Sequence, residues 1–142
     1  MIRHLDENAV ISAVCRHLVD GGYVVEQQLH TTEKGIDIVA LHQVSGRRLY
    51  VEAKGSTSSR EGSARFDKGF NSTQVFDRVA KGLYTGLCMR SDHPVTNNED
   101  VGLAFPDTPG FLRRLEPVRE AIREAGLILF LATPDGAVRV LQ

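Results

Sequence analysis

Three residues in this chain have the types and spacing for phosphodiester chemistry: Asp37, Glu52 and Lys54. Asp37 stands inside an apolar run, GIDIVAL, and Glu52 and Lys54 end another, RRLYVEAK. Side chains alternate faces along a strand, so residues two apart share a face. Leu49, Val51 and Ala53 therefore point one way, and Tyr50, Glu52 and Lys54 the other. If the stretch 35–41 pairs with 48–54, Asp37 is carried close to that second face. An acid in an apolar strand is costly to bury unless it is paired or binds a metal. Two carboxylates and an ammonium meeting at one point suit a Mg²⁺ ion and an activated water. Mg²⁺ is hard, takes oxygen ligands in octahedral geometry and keeps several waters. Asp37 and Glu52 would supply two oxygens, and the backbone carbonyl of Ala53 a third. The ion would polarise a phosphoryl group and acidify bound water. Lys54 would hold the attacking water or steady charge growing on the phosphate. No Ser/His/Asp or Cys/His arrangement offers a covalent route instead.

The elements that would position these groups are legible in outline. Asp6 can cap a helix beginning near Glu7, and Val10, Ile11, Val14, Leu18 and Val19 form its apolar stripe. Glu7 lies at the top of that stripe. It reads either as a first-turn acid favoured by the helix dipole or as a metal ligand from the core side. Strands follow over 23–29, 35–43 and 47–53, with a turn at Val44-Ser45-Gly46. The Gly- and Ser-rich segment 55–69 reads as an exposed loop carrying Arg60, Arg65 and Lys68. A second helix starts near Ser72 or Thr73, with Val75, Phe76, Val79, Leu83 and Leu87 as its buried stripe. Gln74 lies in its first turn, and Arg78 and Lys81 lie off the apolar side. A strand is expected over 101–105. A third helix should open at Pro109 and be closed by Gly126, with strands over 127–132 and 137–141. Helix–strand alternation toward the end argues an α/β domain with a mixed sheet.

Composition narrows the function classes. The 142 residues make one domain, 1–142, with 42% apolar and 25% charged residues. Net charge is −1, so the molecule as a whole is no polycation. Positive charge is instead gathered over residues 54–90, where seven Lys/Arg face three Asp/Glu. That is the stretch just after the acidic cluster, where a polyanion would lie. Arg60, Arg65, Lys68, Arg78 and Lys81 are thus the candidate nucleic-acid contacts, since Arg and Lys neutralise phosphates without sequence-specific geometry. Cys15 and Cys88 read as small buried hydrophobes. Two such cysteines make neither a disulfide framework nor a zinc site. With no spanning or signal-like stretch, a cytoplasmic protein away from the membrane is expected.

The arrangement Asp37…Glu52-Ala53-Lys54, with the two acids fifteen positions apart, resembles the catalytic signature of the PD-(D/E)XK nuclease superfamily. The Mrr-type restriction and Holliday-junction-resolvase branches look most similar. The resemblance implies the three-layer restriction-endonuclease-like fold: a central mixed β-sheet flanked by helices, in the order α-β-β-β-α-β-α-β-β. It implies a Mg²⁺-dependent endonuclease, with Mn²⁺ able to substitute, acting on DNA. Asp37 and Glu52 would be metal ligands and Lys54 the catalytic lysine. Several branches carry a Gln in the helix after the lysine, where Gln74 stands, and some carry a Glu in the first helix, where Glu7 stands. Paired cuts on a duplex would bring in a homodimer. Ile36 replaces the Pro of the family's name. Two rivals stand beside the nuclease reading. One is a non-catalytic nucleic-acid-binding module of the same fold within a larger DNA-processing complex. The other makes Glu52 and Lys54 a solvated surface pair of little energetic weight.

Overall fold

A computed structural model describes residues 5–30, 33–56 and 71–141. Arg60, Arg65 and Lys68 lie outside the described residues. The chain is an α/β domain built on a six-stranded mixed sheet whose strands lie in sequence order from edge to edge. Helix α1 (Glu7–Asp20) leads into β1 (Tyr23–Gln28), β2 (Ile38–His42) and β3 (Arg48–Ala53). Helix α2 (Ser72–Asp92) and a short 3₁₀ turn lead to β4 (Glu99–Pro106). Helix α3 (Pro109–Leu115), a second 3₁₀ turn and α4 (Arg119–Glu124) precede β5 (Leu127–Ala132) and β6 (Val138–Leu141).

Strands β1, β2 and β3 pair antiparallel, β3–β4 and β4–β5 parallel, and β5–β6 antiparallel. The parallel steps need crossovers, and helices supply them. Alternation along β3 is as the sequence requires. Leu49, Val51 and Ala53 are buried against the α1 face, with Ile38, Ala40, Val10, Ile11 and Val14. Tyr50 belongs to the opposite face, packed with Val79, Leu103, Phe105 and Phe111. The sheet therefore has a helix layer on each side, and each layer buries its own apolar cluster.

Local chemistry explains most element ends. Asp6 caps α1, its carboxylate accepting from the Ala9 N–H at 2.8 Å. Asn71, rather than Ser72 or Thr73, caps α2 through a reciprocal box with Gln74. Three expectations are corrected. The single helix over 109–126 is broken at Glu116–Val118, because Pro117 removes a donor and its ring collides with the preceding turn. Phe76 and Leu87 are about half exposed, and the face of α2 against the sheet is Val75, Val79, Gly82, Gly86 and Met89. The two glycines let the helix settle onto Phe105 and Leu103: a Cβ at Gly82 would lie 2.9 Å from Phe105, and one at Gly86 2.7 Å from Leu103. Cys88 is exposed, while Cys15 is buried as expected. No helix among the described residues is long and apolar enough to cross a membrane.

Candidate functional site

The β2–β3 ladder sets the centre of the site. Ile38 pairs with Val51 and Val39 with Tyr50, so continuing the register places Asp37, one residue ahead of β2, opposite Glu52. Residues directly opposite in an antiparallel pair project to the same side. The backbone around Asp37 stays in the ladder, its carbonyl accepting from the Leu29 N–H at 2.9 Å. Asp37 is 8% exposed. Its Oδ2 accepts from the Ala53 N–H at 2.8 Å, which locks the carboxyl over the end of β3. Lys54 continues on the Glu52 side, with its Nζ 3.1 Å from Glu52 Oε2. Its aliphatic stem runs under α2, close to Gly82. The Lys54 N–H bonds to the Ala104 carbonyl at 2.9 Å, so the strand end is tied to β4 as well.

The electrostatics are those of crowded acids. Burial pushes the Asp37 carboxyl up to about 7. The Ala53 N–H opposes that rise, while Glu52, within hydrogen-bonding reach, adds to it, and the Lys54 ammonium opposes it in turn. Burial and the neighbouring Glu52 thus favour the protonated form of Asp37. Glu7, in the first turn of α1, is also raised to about 7. Burial is the main cause and the Asp37 charge the next, offset by Lys54 and Arg78. Three acids and two bases therefore share one end of the sheet, and the acids are in excess. Carboxyls pushed toward neutrality by burial and by one another mark sites built to bind or react.

Of the residues singled out from sequence, Asp37, Glu52, Lys54 and Glu7 come together, with Arg78 in electrostatic contact with Glu7. Ala53 is fully buried between the two motif residues. Gln74 is engaged elsewhere: its Oε1 accepts from the Asn71 N–H at 2.9 Å in the α2 capping box. Lys81 is solvent-exposed on α2. Sequence reasoning overlooked Gly55 and Ser56, which dock the start of α1 onto the end of β3. A glycine directly after the motif lysine is the one signal that pointed there.

A hard divalent cation fits this donor set, since every candidate ligand is an oxygen and the acids outnumber the bases. As they stand, no three His, Cys, Asp or Glu side chains among the described residues are grouped closely enough to enclose a metal ion. Glu52 is turned onto Lys54, and one Asp37 oxygen accepts from the Ala53 N–H. No family model matches the chain, and no curated protein or solved structure compared with it matches either.

Proposed function

We propose that this chain is a Mg²⁺-dependent nuclease that hydrolyses DNA phosphodiester bonds, on a restriction-endonuclease-like arrangement of its sheet. The observation that carries the reading is the convergence of Asp37 and Glu52 from facing strands, with the Lys54 ammonium 3.1 Å from Glu52. Asp37, Glu52 and the Ala53 carbonyl are the oxygens that would hold Mg²⁺ or Mn²⁺, with Glu7 beside them. Such an ion supplies Lewis acidity toward a phosphoryl oxygen and lowers the pKa of its water.

The chain's own groups do the rest. The Ala53 N–H fixes the orientation of the Asp37 carboxyl, so no rotamer search precedes binding. Glu52 pairs with the Lys54 ammonium, which orients it at the site. That ammonium, its stem clamped beneath α2, would orient a water or steady negative charge on the phosphate. Arg60, Arg65, Lys68, Arg78 and Lys81 would neutralise the DNA backbone next to the site.

A second reading is favoured by one observation, the closed Glu52–Lys54 pair, with no three acids among the described residues grouped closely enough to enclose a cation. In it the chain binds nucleic acid without cutting, inside a larger DNA-processing complex. Two measurements decide. Supercoiled, linear and branched DNA are incubated with Mg²⁺ and wild type, Asp37→Ala or Lys54→Ala. Cleavage lost in both variants supports the nuclease; cleavage equal in all three rejects the assignment. Calorimetric Mn²⁺ binding that vanishes in Asp37→Ala, without cleavage in the wild type, would favour a metal-holding binder.

A further inference from the structure

The end of β3 makes an unusually close backbone contact with the start of α1. Gly55 follows the motif lysine directly. A Cβ at this position would lie 2.4 Å from the Glu7 amide nitrogen and 2.6 Å from the Asp6 carbonyl carbon. Those are backbone atoms, which no side-chain rotation can move aside. Ser56 then fastens the contact with three hydrogen bonds. Its N–H donates to the Leu5 carbonyl at 2.7 Å, its hydroxyl donates to the same carbonyl at 3.1 Å, and its Oγ accepts from the Leu5 N–H at 3.1 Å. Both Ser56 and Leu5 are buried. On the other side, Lys54 is pinned to Ala104 of β4. The residues that flank Glu7 and those that follow Lys54 are therefore one rigid piece, although about fifty residues of chain separate them.

We propose that Gly55 and Ser56 are positioning residues: their clasp on Leu5 and Asp6 sets how closely Glu7 approaches Asp37, and so sets cation affinity. The inference rests on the cation-binding reading above. Neither residue touches a cation or substrate. Gly55 acts through the space that only a residue without a Cβ leaves, and Ser56 through its hydroxyl and N–H. Any larger residue at Gly55 drives the first turn of α1 outward and takes the Glu7 carboxylate with it. The Asp6 cap to Ala9 keeps the helix start intact, so the displaced part is the turn as a unit.

Calorimetric titration with MnCl₂ tests this, on wild type, Gly55→Ala, Ser56→Ala, Glu7→Gln and the two double variants with Glu7→Gln. Supporting-residue changes typically weaken metal binding roughly 10–100-fold, so Gly55→Ala should lose roughly tenfold and Ser56→Ala somewhat less. If the clasp works through Glu7, neither substitution should weaken binding further in the Glu7→Gln background. A merely structural role would lower the melting temperature and leave the affinity of the folded protein unchanged. If Gly55→Ala does not fold, Ser56→Ala carries the same reading alone. Folded single variants that bind as wild type, or losses that multiply with Glu7→Gln, overturn the clasp. A wild type that takes up no Mn²⁺ overturns the cation site and the clasp together, whereas wild-type binding with indifferent variants overturns the clasp alone.

Discussion

Without a cation, the acid cluster should weigh against the fold at neutral pH, and Asp37→Asn should relieve it. Asp37 is lifted from its ordinary 3.8 to about 7, chiefly by burial. Between about pH 4 and pH 7 the folded chain keeps a proton that the unfolded chain releases, so stability falls as pH rises and is level beyond. At about 1.36 kcal/mol per pH unit the full rise is worth ~4 kcal/mol. Water reaching the Glu52–Lys54 edge screens the pair and discounts that to ~2 kcal/mol. Asn is the neutral isostere of the protonated acid: its oxygen can accept from Ala53 and its NH₂ can donate to Glu52. In chelator, Asp37→Asn should therefore match wild type near about pH 4.5 and exceed it by ~2 kcal/mol near about pH 8. For a domain of this size that is roughly 6 °C in melting temperature. Added Mg²⁺ should stabilise the wild type and not the variant, closing the gap. Urea or thermal denaturation at several pH values, with and without Mg²⁺, reads all of this. A variant less stable than wild type near pH 8 in chelator would refute the reasoning, as would a wild type indifferent to pH across that window.

Two other outcomes are expected. Gly102 of β4 faces the ring of Phe130, and an added Cβ would lie 2.6 Å from it; Gly102→Ala should cost ~1–3 kcal/mol in urea denaturation, and an unchanged midpoint would show that Phe130 is free to move. Lys81 is exposed on α2; Lys81→Ala should weaken DNA binding evenly across sequences and reduce the salt slope by about 1, so an unaltered slope removes this lysine from the interface.

The pairing of Asp37 with Glu52 was legible because strand alternation and a short hairpin leave little choice of register. Apolar residues on the other face of β3 would be exposed by a one-residue slip. The cap at Asp6, the helix opening at Pro109 and the apolar β5 were legible for similar local reasons. What escaped was carried by glycine. The buried face of α2 runs through Gly82 and Gly86, which add nothing to a hydrophobic stripe, so Phe76 and Leu87 were placed inside in their stead. Glu7's place beside Asp37 was legible as one of two readings, and the contact between Gly55 and the α1 start that accompanies it was not, since no pattern within the helix carries it. The break at Pro117 was readable and was overridden by the run of apolar residues on both sides.

The strand order has a consequence for how the molecule assembles. Each ribbon lies beside its predecessor in the chain, so none has to be threaded between two already in place. The hairpin bearing Asp37 and Glu52 closes over a short loop, whereas β3 and β4 meet only after the α2 crossover is laid down. The two acids are thus carried by a local hairpin, while β4, β5 and β6 complete the core on which that hairpin and α1 pack.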